Sequence, residues 1–114
     1  MSTKPSVAMT PEELVSFVRG AKLAVVCAVG QDGKLVARVA RCRSEDGEVL
    51  KLDLSGPAGD LPQGSACALI DTYPSYREIK GAMLRGPLQI EGMAGRLQPD
   101  RASGFDFSKA PAAA

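Results

Sequence analysis

Hydrophobic and polar positions along the chain form short blocks that turn-forming residues separate. An unbroken apolar block runs from Leu23 to Val29; its seven residues are too few to cross a membrane and suit a strand covered on both faces. The turn Gln31–Gly33 follows, and its Asp-Gly pair tolerates the positive φ that tight hairpins require. A second strand is predicted over Lys34–Arg43. The two blocks therefore indicate a β-hairpin.

The rest of the chain continues this pattern. Residues Val49–Leu54 alternate cleanly, with Leu50, Leu52 and Leu54 on one face and Lys51 and Asp53 on the other. Three further strands are predicted at Ser65–Asp71, Ile79–Arg85 and Leu88–Arg96, the last two joined at Gly86-Pro87. The Pro- and Gly-rich segment Ser55–Gly64 is expected to be a loop with room for a short helical turn.

One helix is predicted before the first strand. Thr10 can cap it, Pro11 suits its first turn, and Glu13 completes a capping box. Gly20 is expected to end it. A helix followed by six short strands with tight turns indicates a mainly β protein, a six-stranded antiparallel barrel with an N-terminal α-helix.

The length of 114 residues corresponds to a single domain. We expect residues 1–8 to form a flexible leader, residues 9–97 the barrel, and residues 98–114 a C-terminal tail. Phe105 and Phe107 leave two alternatives for that tail: it is disordered, or it docks its rings on its own barrel or on a partner's.

Charge and composition exclude several classes of function. The net charge of +1 and the aromatic content of 4% argue against a nucleic-acid-binding barrel. Histidine is absent, which excludes His-based acid–base catalysis and the commonest metal ligand. The three cysteines, Cys27, Cys42 and Cys67, show no CxxC spacing, so no metal site is predicted, and each is expected to be a small buried hydrophobe. Their odd number favours the cytoplasm, and no membrane partner is expected.

Three segments carry a resemblance to a known family: the helix start Met9–Leu14, the hairpin Ala24–Gly33, and the run Tyr76–Gly81 with Leu84-Arg85-Gly86. In their order and spacing the chain, from Met9 to Gly95, resembles the pyridoxamine 5'-phosphate oxidase-like, FMN-binding split-barrel family. The resemblance implies a homodimer that holds flavin between its subunits. It also leaves two alternatives for Tyr73 and Tyr76, covering the flavin or packing at the dimer seam.

The resemblance also implies where the cofactor would bind. Arg38 corresponds to the family's arginine on the second strand and Arg43 to its lysine, with Val39 and Ala40 between them facing the flavin; Lys51 and Leu52 occupy the next contact, on the third strand. Arg38 and Arg41 must point to opposite faces of a regular strand, whereas Arg41 and Arg43 share one. We expect a surface or interface salt bridge for Arg41.

Two departures from the family pattern keep a second function open. Gly56-Pro57-Ala58 stands where the family has a basic phosphate clamp, and Lys80–Met83 replaces a run containing a flavin-contacting glutamine. One interpretation is a small FMN-binding redox protein, an oxidoreductase or electron carrier without an assigned catalytic residue, for which a deazaflavin is a variant cofactor. The alternative is a cofactor-free split-barrel dimer that acts as a binding or assembly module.

Overall fold

The chain folds into an antiparallel sheet of seven strands with one α-helix, as a computed structural model describes for residues 6–72 and 79–109. The helix α1 spans Pro11–Arg19, and short 3-10 turns lie at Gly56–Asp60 and Phe107–Lys109. The strands are β1 (Leu23–Val29), β2 (Leu35–Arg43), β3 (Leu50–Asp53), β4 (Gly64–Thr72), β5 (Lys80–Glu91), β6 (Ala94–Leu97) and β7 (Arg101–Asp106). The loop predicted to hold Tyr73 and Tyr76 lies outside the described residues.

Six of the strands close into a barrel. The order β4-β1-β2-β3-β6-β5 returns to its start because β4 also pairs with β5. The seventh strand, β7, pairs with the first half of β5, and β6 pairs with the second half of the same edge. The predicted six-stranded antiparallel barrel with one N-terminal helix is confirmed.

The helix begins and ends where the sequence predicts. The Thr10 hydroxyl accepts a hydrogen bond from the Glu13 amide, the Glu13 carboxylate accepts one from the Thr10 amide, and Gly20 follows the last turn. Its Val18 is fully buried against the barrel. Within residues 6–72 and 79–109, no helix has the length and apolar character that crossing a membrane requires.

Small and large side chains occupy opposite walls of the barrel interior. Alanines point inward from β1, β2 and β4, and leucines point inward from β3, β5 and β6. Large side chains on one wall opposite small ones on the other are a usual way to fill the interior of a small barrel. The buried set is Val18, Ala24, Val26, Ala28, Ala40, Cys42, Leu50, Leu52, Leu54, Ala58, Leu61, Ala66, Ala68, Ile70, Ala82, Leu84, Leu88 and Leu97.

The prediction of two strands joined at Gly86-Pro87 is wrong, because Lys80–Glu91 is one continuous strand. The chain instead turns at residues 92–93, before β6. Gly86-Pro87 lies where the neighbour of β5 changes from β7 to β6, and there the Pro87 carbonyl accepts a hydrogen bond from the Gln98 amide at 3.2 Å. The Gly-Pro pair therefore marks a change of partner strand, not a turn of the chain.

The segments on either side of the predicted barrel, a leader and a tail, both pair with the sheet. After residue 97 the chain adds β7, and Phe105 lies within this strand. The Val7 carbonyl accepts from the Asp106 amide at 2.7 Å, and Ala8 forms a bridge with Phe105. Residues 7–8 are thus part of the sheet, because β7 offers them backbone partners that no local sequence pattern reveals.

Replacing Gly86 with alanine should destabilise the fold, because a Cβ at this position would overlap the Gln98 carbonyl oxygen and crowd the backbone of Pro99. We expect a loss of roughly 1–3 kcal/mol in the free energy of unfolding, typical of overpacking against atoms that cannot move away. Urea denaturation followed by circular dichroism measures this loss.

The matched control is Gly20→Ala. A Cβ there would lie 3.7 Å from its nearest neighbour, the Phe17 carbonyl oxygen, which is ordinary van der Waals contact. This variant should unfold close to the midpoint of the unaltered protein. Equal midpoints for both variants would contradict the role assigned to Gly86.

Candidate functional site

A groove of about 830 Å³ crosses the outer surface of β2, β3, β6 and β5. This volume lies within the range usual for small-molecule sites. Because side chains alternate along each strand, every second residue of these four strands points out into the groove while its neighbours point into the core. The groove thus receives the polar face of strands whose other face holds the core leucines.

Three cations lie side by side across the groove and form what we call the cation row: Arg43, Lys51 and Arg96. Arg43 is directly opposite Lys51 in the β2–β3 ladder, and Lys51 is directly opposite Arg96 in the β3–β6 ladder. Gln89 of β5 completes the row opposite Arg96. Like charges at directly opposed positions destabilise a sheet, so the row favours an anion above it.

Acidic groups of the protein neutralise the cation row only in part. Lys51 Nζ lies 3.3 Å from Glu45 Oε1, and both side chains are exposed to solvent. Among the described residues, neither Arg43 nor Arg96 forms a salt bridge. An exposed pair such as Lys51–Glu45 contributes little and can be displaced by a stronger anion.

A second row of residues along the same four strands is closer to charge balance. Arg41 lies opposite Asp53, and Glu91 lies at the other end of the row, opposite Ala94. Hydrogen bonds from the Ser55 hydroxyl and amide hold the pKa of Asp53 below its usual value, and Arg41 lowers it further. The groove therefore has a cationic end and a weakly acidic end.

The groove also has apolar surface. Met93, in the turn between β5 and β6, exposes 71% of its surface and lines the groove together with the half-buried Ile90. Methionine adapts its shape to flat ligands and makes favourable contacts with aromatic rings. An anion-binding row beside an exposed thioether suits a ligand that is part phosphate and part aromatic.

Of the six residues predicted to hold a cofactor, the structure brings three to the groove: Arg43, Lys51 and Leu52. The Leu52 side chain itself is buried in the core, which leaves Arg43 and Lys51 as the side chains that face a ligand. Ala40 is also a core residue, and Val39 is exposed but faces Val25 of β1, away from the groove.

Arg38 lies outside the groove. Its guanidinium binds both carboxylate oxygens of Asp60, with Nε–Oδ1 at 3.0 Å and Nη2–Oδ2 at 2.7 Å, and donates to the Ala37 carbonyl. This two-point contact ties β2 to the 3-10 turn Gly56–Asp60. The residue with the strongest sequence-based case for phosphate binding therefore already has a carboxylate partner within the chain.

Arg96 was not identified from the sequence as a site residue. It is 45 positions from Lys51 in the sequence, and only the pairing of β3 with β6 places the two side by side. The one feature of the sequence that could have indicated Arg96 is its charge at an outward position of an alternating segment, and any solvated strand face shows the same feature.

The groove also contains Cys42, but burial raises the pKa of its thiol to about 11, so this cysteine supplies no nucleophilic thiolate.

Comparison with known proteins finds similarity in three-dimensional structure and not in sequence. No known family model and no curated protein matches the chain. Among solved structures, a conserved hypothetical protein from Mycobacterium tuberculosis aligns with a TM-score of 0.71 at 15% identity, over 100% of this chain and 96% of its own. A candidate pyridoxamine 5'-phosphate oxidase from Corynebacterium glutamicum gives 0.70 at 9% identity, over 93% and 98% of the two chains.

A third similar structure is the FAD-binding protein from Mycobacterium smegmatis, with a TM-score of 0.68 at 9% identity over 85% of this chain and 95% of that one. The chain has the pyridoxamine 5'-phosphate oxidase-like split-barrel fold. Identities this low establish the fold alone, so what the split barrel binds must be argued from its own groove.

Removing one charge from the cation row should stabilise the ligand-free split barrel. Replacing Arg96 with glutamine relieves its repulsion with Lys51, and we expect a gain of roughly 0.2–1 kcal/mol in the free energy of unfolding. The gain should be largest at low salt and should disappear at high salt, where repulsion between exposed charges is screened. Urea denaturation at two ionic strengths measures it.

The control is Lys34→Gln, which removes an exposed charge at the β1–β2 turn, outside the groove. Its unfolding midpoint should not change in the same salt-dependent way. A salt-dependent loss of stability on removing Arg96 would show that the row is internally balanced and does not need an anion.

Proposed function

We propose that this protein is a flavin-binding redox protein whose cation row holds the phosphate of FMN. The observation that carries the proposal is the line of directly opposed cations Arg43, Lys51 and Arg96, for which the described part of the chain supplies one acidic partner, Glu45 on Lys51. The similarity in fold to proteins described as FAD-binding or as a pyridoxamine-phosphate oxidase supports the same ligand class.

The residues present fit such a group. Arg43 and Arg96 would bind phosphate oxygens through their planar guanidinium groups, and Lys51 would add a point charge between them. Met93 and Ile90 would offer an apolar contact for a ring system. When bound, the flavin supplies the electron or hydride transfer, and the protein provides the binding site and the surrounding charge. This chemistry does not require a histidine of the protein, because the flavin itself carries the electrons or hydride.

The lack of a free basic side chain at the 3-10 turn Gly56–Asp60 favours a second candidate, a cofactor-free binding or assembly module. The turn Gly56–Asp60 contains no basic residue, and Asp60 occupies the Arg38 guanidinium. A phosphate clamp at this turn is therefore missing. The two candidates differ in whether the cation row alone binds phosphate strongly enough to retain a flavin.

Comparison of FMN with riboflavin tests the proposal, because the two differ only in the phosphate. We expect the protein to quench FMN fluorescence with an affinity at least about tenfold higher than for riboflavin, which is the effect of one charge-assisted contact. In the Arg43→Gln and Arg96→Gln variants this preference for FMN should fall toward equality. The affinity for FMN should also fall as salt rises.

Arg38→Gln is the matched control, since it removes an arginine of the same strand that lies outside the groove. It should keep the preference for FMN. If the preference is lost in the Arg38→Gln variant and retained in the Arg43→Gln variant, the phosphate binds near Arg38 and not in the groove. Equal binding of both flavins by the unaltered protein would contradict the phosphate role of the cation row, and no binding of either flavin would favour the cofactor-free module.

We further propose that the protein is a homodimer through the outer face of β1, β2 and β4. The strand Leu23–Val29 is apolar on both faces, but residues 6–72 and 79–109 cover only its inner face, and Leu23 exposes 57% of its surface. Large apolar side chains of β2 and β4 extend the patch, which consists of Leu23, Val25, Val29, Leu35, Val39 and Leu69. A contiguous apolar face of this kind marks an interaction site, and the net charge of +1 opposes self-association only weakly.

Replacing Val39 with glutamate, at the centre of this face, should convert the dimer to a monomer, because a second copy would have to bury the new carboxylate. Sedimentation velocity measures the change in mass. Ser16→Glu adds the same charge on the exposed side of α1 and should leave the mass of the dimer unchanged. A monomeric unaltered protein would contradict the proposed dimer.

A further inference from the structure

Two cysteines face one another across the β1–β4 ladder of the barrel. Cys27 of β1 is directly opposite Cys67 of β4, and both side chains are half-buried on the outer face. The expectation that all three cysteines are buried hydrophobes therefore holds only for Cys42, which points into the core from β2. The pair lies on β1 and β4, neither of which contributes a residue to the groove.

The geometry of an antiparallel ladder brings these two residues within reach of a disulfide. Directly opposed residues have Cα atoms about 4.5–5.5 Å apart, and disulfides join Cα atoms that are about 4.4–6.8 Å apart. Burial raises the pKa of the Cys67 thiol, the neighbouring Cys27 raises it further, and Arg85 lowers it. The strand register therefore places the two thiols on one face, at a backbone separation that a disulfide can span.

We propose that Cys27 and Cys67 form a two-electron redox couple, closing a cross-strand disulfide between β1 and β4 when they are oxidised. With glutathione disulfide as oxidant, one thiolate attacks a glutathione sulfur, forms a mixed disulfide and expels one glutathione. The second cysteine then attacks its partner's sulfur and expels the other glutathione. The protein loses two electrons and two protons, and the two reduced glutathione molecules each receive one electron and one proton.

The position of the pair gives the bond a structural effect. The β1–β4 ladder has four residue pairs, from Val25–Leu69 to Ala28–Ala66, and Cys27–Cys67 is one of them. A covalent bond there would hold the barrel closed across a loop that contains β2 and β3. In the reducing compartment that the cysteine count predicts, the pair would be mainly reduced and would oxidise only transiently.

Equilibrium with glutathione tests the proposal, using the full chain in native buffer and in concentrated urea. After acid quenching and alkylation, peptide mass analysis gives the fraction of each possible cysteine pairing. We expect Cys27–Cys67 to dominate in native buffer, with an equilibrium constant at least about tenfold higher than in urea, because the fold holds the two sulfurs together. The oxidised protein should also unfold at a higher urea concentration than the reduced one.

Two variants serve as controls. Cys42→Ser should leave the equilibrium constant unchanged, whereas Cys27→Ser should abolish the intrachain disulfide in native buffer. Equal constants in native buffer and urea, or pairing of Cys42 as often as Cys27, would overturn the proposal. A second copy covering this face would shift the equilibrium if it bound the oxidised and reduced forms with different affinity. The constant is therefore also measured in the Val39→Glu variant, without flavin, so that failure of this proposal is distinguished from failure of the proposed dimer.

Discussion

Closure of a small barrel around a solid interior is the constraint on which the rest of the structure depends. Once β4 pairs with both β1 and β5, each strand has one face that must fill the interior and one that cannot reach it. Inward leucines of β3, β5 and β6 pack toward inward alanines of β1, β2 and β4 and line the interior with apolar side chains. The charged side chains of the groove therefore lie on the outer surface, where alternation along the strands arranges side chains in rows.

The outer surface divides into two regions of different chemistry. On β3 and β6, and on the end of β2 next to them, it is charged, and three cations lie side by side in the row Arg43–Lys51–Arg96. On β1 and β4, and on the other end of β2, it is apolar and includes the facing thiols Cys27 and Cys67. Each region carries an unfavourable feature in the isolated chain: repulsion between like charges in one, and exposed apolar surface in the other. Both costs fall if the charged region binds an anion and the apolar region binds a second copy.

Local sequence signals predicted most of the elements because their causes are local. The capping box Thr10–Glu13, the Asp-Gly turn before β2 and the alternation Leu50–Leu54 each depend on residues a few positions apart, and the structure confirms all three. The prediction failed at Gly86-Pro87. These residues are typical of a turn, but here they lie inside β5, where its neighbouring strand changes from β7 to β6. It also missed β7 as a strand, since this segment has no clear hydrophobic alternation and forms because β5 offers it an open edge.

By itself the sequence determined which side chains share a face, since alternation along a strand is a property of the backbone. It placed Arg41 with Arg43 and separated both from Arg38, and the structure agrees. It could not determine which strands are neighbours, because pairing depends on closure of the whole barrel. Only the tertiary structure brought Arg96 beside Lys51, gave Arg38 a partner in Asp60, and set Cys27 opposite Cys67. The candidate site and the thiol pair are thus results of strand register, which long-range packing decides and no local pattern encodes.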